Sequence, residues 1–413
     1  MTLNRIRKNG SHAAYFAMIT VFLDAFGIAF ISPVLPDLLE EITGSNLGNA
    51  AIYGGYLTFI YAFMQFIVSP ILGNLSDSFG RRPILVVSLG ALGIDYLIMG
   101  FANSLWLLFF GRFIAGIFGA THATASAFIS DISNGKQRTR NFGLLGASFG
   151  AGFVAGPLIG GMLTDYGVRV PFFAAFFLIL LNFIYGLFIF PESLPKEKRR
   201  KFTLTGVNPF KGLAECTRFP SIMPLFLALF LFLIADHVYV SVWPYYTREA
   251  FEWSSRQVGL TLAIFGFFHA LTQAFLVGVL LKKHDELTIA LIGIVSSAAI
   301  MATMLFITQG WVIYAFLPFT ALGGLATPGL QSLMTQRVPA THQGQLQGGI
   351  GSLTSLTTVL SPLIMTRTFY FFTQDHAAYY HPAGVFGLSA FVCLLAIIPL
   401  SCFTKRHRRK NQR

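Results

Sequence analysis

Apolar residues along the chain gather in long runs separated by short polar stretches. Such runs fall near 14–36, 52–75, 83–102, 104–130, 141–164 and 171–191, and again near 221–245, 257–281, 287–307, 311–333, 345–368 and 383–403. A helix needs roughly 20 apolar residues to cross a bilayer core. None of the runs alternates apolar and polar residues as a barrel strand does. Lipid offers the backbone no hydrogen-bond partner, so each run is expected to be a helix. The pattern predicts an all-α membrane protein with twelve transmembrane helices.

Composition agrees with that reading. The chain of 413 residues is 54% hydrophobic and 11% charged, where a soluble domain carries about a quarter charged residues. Its net charge of +12 raises the question of nucleic acid, but the basic residues are distributed by loop. Arg5, Arg7, Lys8, Arg81, Arg82, Lys136, Arg138, Arg140, the run Lys196–Lys201, Lys282, Lys283, Arg337 and the C-terminal tail fall on one side. Only Arg169, Arg248, Arg256 and Arg367 fall in the opposite loops. This bias is the positive-inside pattern and predicts both termini in the cytoplasm, with no nucleic-acid partner. The first run resembles a signal peptide, but it is too long, contains Asp24 and lacks a small-residue cleavage site, so it is expected to stay as the first crossing. Cys216, Cys393 and Cys402 have neither disulfide nor zinc spacing.

The longest internal loop, 192–220, opens with PESLPKEKRRKF and divides six crossings from six. We expect a six-helix bundle over 1–191, a solvated cytoplasmic linker over 192–220, and a second six-helix bundle with a basic tail over 221–413. Two pseudo-equivalent halves are a recurrent transporter plan, with the substrate site between them at mid-membrane depth.

Two motifs suggest moving parts. Between the second and third crossings lies G-x-x-x-D-x-x-G-R-R-P, formed by Gly73, Asp77, Gly80, Arg81, Arg82 and Pro83. Gly73 is suited to close helix approach and Gly80 to a tight turn. Asp77 can pair with Arg81 and Arg82 in a latch. In the fifth crossing, Gly152, Gly156 and Gly160 share one helix face beside Pro157. Overlapping GxxxG steps offer a groove for a neighbouring helix, and the proline removes a hydrogen bond where the helix can bend.

Ionisable residues inside crossings mark function, since each is expensive to keep there. They are Asp24 in the first, Asp95 in the third, Asp236 toward the outer end of the seventh, and His269 in the eighth; His237 follows Asp236. Acids that bind and release protons there would couple transport to a proton gradient. Arg112 opens the fourth crossing, where it can relay protons by shifting the pKa values of acids, bind an anionic substrate group or snorkel to the headgroups. Arg112, Gln65, His237, Gln273, Gln331 and Asn182 are candidates to line a substrate cavity, and 44 phenylalanines suit an apolar one. No nucleophile–base pair, metal cluster or phosphate loop points to an enzyme, and no nucleotide-binding segment points to a primary pump.

With these residues in place, the sequence resembles the tetracycline efflux branch of the drug–proton antiporters of the major facilitator superfamily. The likeness is carried by FLDAFGIAFISPVLP (22–36), LGNLSDSFGRRP (72–83), IDY (94–96), GRFIAGIFGAT (111–121), FGAGFVAGPLIGG (149–161), LAIFGFFHALTQ (262–273) and QGQLQGGIGSLTSLTTVLSPL (343–363). It implies the major facilitator fold of two six-helix bundles and export of a drug against an inward proton. It also implies roles for Asp24, Asp95 and His269 in proton coupling, for Asp77, Arg81 and Arg82 in gating, and for Arg112 as the family's fourth-helix arginine. The run around Gly156 and Pro157 resembles the antiporter motif of exporters. Ser297 stands where the family carries a ninth-helix acid, and Asp236–His237 is new to the pattern. Asp236 is therefore expected to stand in for that acid, and tetracycline itself does not carry over as substrate. The remaining expectations are a bacterial inner-membrane monomer with no cofactor, driven by the proton gradient. The same scaffold would also suit a proton-coupled importer or a dedicated metabolite or siderophore exporter.

Overall fold

The computed structural model describes residues 10–202, 208–374, 376–377 and 379–403; Arg5, Arg7, Lys8, the stretch 203–207 within the 192–220 linker and the basic tail from 404 onward lie outside it. Among the described residues, twelve helices are long and apolar enough to cross a membrane. They are α1 Ala13–Ile31, α2 Leu47–Phe79, α3 Arg81–Phe101, α4 Leu105–Ile132, α5 Gln137–Tyr166 and α6 Val170–Phe188, followed by α7 Met223–Phe251, α8 Ser255–Leu280, α9 Glu286–Met304, α10 Gly310–Thr335, α11 Ala340–Thr373 and α12 Gly384–Phe403. Large apolar side chains such as Trp106, Phe188, Phe306 and Trp311 stand fully outward. In water such a surface would aggregate, whereas lipid is its natural solvent.

The first apolar run ends earlier than its hydropathy suggests. A turn at 32–34 follows α1, and a separate short helix Leu35–Thr43 closes on Gly44, whose φ of 62° is the left-handed cap that glycine tolerates. The chain forms two compact units, one from Met1–Ser45, Ile60–Pro209 and Ser254–Ala263, the other from Asn46–Phe59, Phe210–Trp253 and Ile264–Arg413. Their boundaries fall inside α2 and inside α8, not only in the linker.

Within the first unit, α1 lies along α5. A Cβ on Gly152, Gly156 or Gly160 would run into the backbone of Phe22, Phe26 or Phe30 in turn. The glycine face thus brings two backbones into direct contact, where dispersion rather than water exclusion holds helices together. The next residue, Gly161, meets the backbone of Ser255, and Gly259 meets the Pro157 carbonyl. Gly73, by contrast, has nothing within 4 Å of where a Cβ would stand; the close approach expected there is absent. Within the second unit, Trp243, Tyr246 and Phe386 form an edge-to-face core, with Phe386 4.8 Å from the Tyr246 centroid.

Among the described residues, five helices depart from regular α geometry inside their spans, α12 with a turn at Ala396 and four others. Helix α4 is interrupted between Ile117 and Thr121, and α7 is interrupted at His237. A π-turn Thr272–Leu276 lies in α8 and a 3-10 segment Ala321–Leu325 in α10. Such irregularities inside a membrane span persist only where protein groups re-satisfy the backbone.

The glycine face yields a prediction. Gly156→Ala places a methyl 2.5 Å from the Phe26 carbonyl oxygen and 3.0 Å from the Phe30 nitrogen. Neither backbone can retreat, so overpacking is expected to cost about 1–3 kcal/mol, read as a lower melting temperature in detergent. Gly150→Ala, with nothing within 4 Å, is expected to leave that temperature unchanged.

Candidate functional site

In the first unit, three expected residues are buried: two of them are bonded to each other, and Tyr61 links that pair to the third. Asp95 on α3 has no exposed surface, and Arg112 on α4 is 8% exposed. The guanidinium engages both carboxylate oxygens: Nε donates to Oδ1 at 3.1 Å, and Nη2 pairs with Oδ2. This two-pronged geometry is the strongest form of ion pair. Gly111 makes room for it, since a Cβ there would lie 2.8 Å from the Asp95 carboxylate. Arg112 therefore neither snorkels to the surface nor stands free in a cavity, as its place near a helix end suggested. Its guanidinium also covers the Tyr61 ring, 5.4 Å from the centroid.

Asp24, 7% exposed, has no cation bonded to it among the described residues. Its partner is the hydroxyl of Thr121, the first residue of the half-helix Thr121–Ile132. The carboxylate is thus placed at a helix N-terminus, where unpaired N–H groups and the helix dipole favour an anion. Gln65 donates from Nε2 to the Gly119 carbonyl at 2.7 Å, inside the interruption of α4, and lies 3.5 Å from the Tyr61 hydroxyl. Thus Gln65 holds backbone, where the sequence suggested a cavity-lining role. Asn182 likewise donates to Thr20 at 3.1 Å in a buried helix–helix bond.

The second unit gathers a comparable set. Asp236 ends the first segment of α7 and so falls at mid-crossing rather than toward the outer end. A Cβ on Gly323 would touch the Ser297 hydroxyl and lie 3.9 Å from the Asp236 carboxylate. The acid on α7 and the serine on α9 thus face one glycine of α10. His237 is turned away: its Nδ1 lies 2.6 Å from the Leu233 carbonyl and its Nε2 3.3 Å from the Thr358 hydroxyl. A carbonyl only accepts, so Nδ1 carries the proton. His269 stacks on Phe265, which stacks on Tyr239. It would also lie 2.9 Å from a Cβ on Gly324. Gln273, in the π-turn, donates to the Gly324 carbonyl at 2.8 Å. Gln331 is half-buried beyond the break in α10, and no hydrogen bond or ion pair ties its side chain to this set among the described residues.

The loop between α2 and α3 is more heavily tied than its motif suggested. Gly80 turns at φ 111°, as expected. Arg81 pairs with Asp77 and also with Asp131, the latter at 3.1 Å. Arg82 does not join them; its guanidinium donates to the Gly186 and Leu187 carbonyls at the end of α6, where a cation complements the helix terminus. Glu192 accepts from the backbone N–H groups of Arg81 and Arg82 at 2.9 and 3.2 Å, capping α3. Arg199 approaches that carboxylate at 3.9 Å, and the Arg200 N–H donates to the Asp77 carbonyl at 3.1 Å. Glu192, Arg199 and the Arg200 backbone thus tie the start of the linker to the gating loop, while Lys196–Lys198, Arg200 and Lys201 keep exposed side chains. Further along, a short helix Lys211–Cys216 packs so closely on α11 that Gly212 meets the Gly348 backbone.

Tyr61, Thr121, Asp131 and Glu192 escaped the sequence reading. Glu192 and Asp131 were visible only as acids within basic loops, and a hydroxyl inside an apolar run has no distinguishing pattern.

The Major Facilitator Superfamily profile matches residues 17–362 and 225–413. The class C tetracycline resistance protein of Escherichia coli is 41% identical over 350 residues, covering 85% of this chain and 88% of that protein. The class D protein of Salmonella ordonez is 38% identical, covering 92% and 96%. Among solved structures, the nucleoside transporter NupG superposes with a TM-score of 0.78 at 11% identity, covering 95% of this chain and 99% of NupG. The human organic anion transporter MFSD10 gives 0.65 at 20% identity, covering 92% and 98%.

The buried pair sets the second prediction. Asp95→Asn strands the Arg112 charge and is expected to destabilise the protein by about 3–5 kcal/mol. Adding Arg112→Gln is expected to restore part of that loss. Thermal unfolding of the two singles and the double closes the cycle, and a purely additive result would show that the pair is not coupled.

Proposed function

The chain belongs to the Major Facilitator Superfamily, and from that membership we propose that it is a proton-coupled antiporter exporting drug-like organic molecules by alternating access. It is a multi-pass membrane transporter and not an enzyme. The exporter reading is supported by the tetracycline resistance relatives at 35–41% identity. The single observation that carries its mechanism is the placement of Asp24: a buried carboxylate, with no bonded cation among the described residues, at the N-terminus of a half-helix inside an apolar span.

When charged, Asp24 is held by the Thr121 hydroxyl and the half-helix dipole. A proton on it removes the anion those groups face, so the interaction across the α4 break changes with each proton bound. Asp95 and Arg112 neutralise each other and supply a fixed charge pair rather than a second free anion. The Gln65 bond keeps the break from collapsing. Asp236 and His269 complete the proton-coupling set in the second unit. Arg81, Asp77 and Asp131 form the latch that must open and close as the gating loop moves, with Glu192 capping it. The Gly152–Gly160 face lets α5 slide or pivot on α1 without side chains to interlock.

We place both termini in the cytoplasm of a bacterial inner-membrane protein, from the distribution of basic loops. It works as a monomer, with the proton gradient as its only energy source. Ser297 in place of a ninth-helix acid argues for a substrate other than the metal-chelated drug of the tetracycline branch.

Reconstitution in liposomes with an internal pH dye tests this. Addition of drugs from a panel of amphipathic compounds, tetracyclines included, is expected to discharge an imposed proton gradient. Asp24→Asn is expected to abolish that signal. A folded wild-type protein that moves no protons with any panel compound would sink the exporter reading.

A further inference from the structure

The two units share a plan at the level of single residues. Tyr61 lies as far from the start of α2 at Leu47 as His269 lies from the start of α8 at Ser255. One turn on, Gln65 and Gln273 follow them. Gly119 lies as far from the start of α4 at Leu105 as Gly324 lies from the start of α10 at Gly310. In both units the glutamine amide donates to that glycine's carbonyl, at 2.7 Å in one and 2.8 Å in the other. In both, the helix is irregular at that point: α4 between Ile117 and Thr121, α10 through the 3-10 segment Ala321–Leu325. In both, an acid on the unit's first long crossing faces the irregular stretch. Asp24 meets Thr121, and Asp236 meets Gly323.

The plan differs in charge. In the first unit Tyr61 lies between Asp24 and Arg112, and Arg112 is bonded to Asp95. Around Asp236 the titratable neighbours are Tyr239 on α7 and Cys393 on α12, with His269 of α8 reaching the adjacent Gly324. His237, next in sequence, is committed to Leu233 and Thr358; α9 contributes only the neutral Ser297. Among the described residues no lysine or arginine pairs with Asp236. An acid in an apolar span with no counter-cation must be balanced by something that arrives. The smallest such partner is a proton.

We infer that the second unit holds its own proton-binding site at Asp236, equivalent in construction to that at Asp24 and independent of it. Each unit then carries one exchangeable proton at the break in its own fourth helix. The use of those protons in transport rests on the exporter reading, but their binding does not.

Infrared difference spectra of the purified full-length protein, acid minus neutral, report protonated carboxyl groups directly. Asp24→Asn is expected to remove one carboxylic acid band and Asp236→Asn a different one, with the double variant lacking both. Asp236→Glu, at wild-type melting temperature, is expected to shift the second band and leave the first in place. A spectrum unmoved by either Asp236 variant overturns the inference, as does loss of the same single band in Asp24→Asn and Asp236→Asn. Two separate bands in a protein that moves no panel drug would uphold the two sites and remove only the exporter reading.

Discussion

A backbone carbonyl released inside an apolar span has no water to turn to, and the functional part of this structure is organised around that constraint. Helices α4 and α10 are both interrupted in mid-crossing, and each interruption exposes a glycine carbonyl. Leaving such a group unpaired costs several kcal/mol in hydrocarbon. Gln65 and Gln273 remove that cost from the neighbouring helix. The breaks can therefore be kept, and with them the half-helix ends and small residues that face Asp24 and Asp236. Glycine serves here because its missing side chain admits the Ser297 hydroxyl, the Asp236 carboxylate and the His269 ring against the 323–324 backbone.

Charge follows the same economy. Asp95 and Arg112 are both buried, and each would be untenable without the other. Their pairing leaves Asp24 as the acid with a chemical decision to make, between a proton and the Thr121 end of a half-helix. Among the described residues of the second unit no such pair is present, and Asp236 sits among hydroxyl, thiol and aromatic groups. One scaffold thus supports two electrostatic environments, separated by which side chains the third and fourth helices of each unit contribute.

The gating loop shows how a short motif acquires its meaning from distant residues. Arg81 and Arg82 are adjacent, yet one joins the acids Asp77 and Asp131 while the other caps the end of α6. Glu192, from beyond that helix, holds the backbone of both. The start of the linker is tied to the loop because α3 begins with unpaired N–H groups and Glu192 is placed to accept them, while most of the charge run that follows stays exposed.

Much of this protein was legible in its sequence, because lipid imposes one-dimensional rules. Apolar length alone determined twelve helices, the cost of intramembrane charge singled out Asp24, Asp95, Asp236 and His269, and GxxxG spacing marked the face of α5 that meets α1. The tertiary structure decided what those residues touch. Hydropathy is blind to a helix break, because Phe118, Gly119 and Ala120 are as apolar as their neighbours. It is equally blind to pairing: nothing in the sequence says that Arg112 is bonded to Asp95, or that the amide of Gln65 is taken by the Gly119 carbonyl. Burial is a property of single residues and leaves a trace in composition. Partnership depends on helix rotation and register, which only the packed helices define.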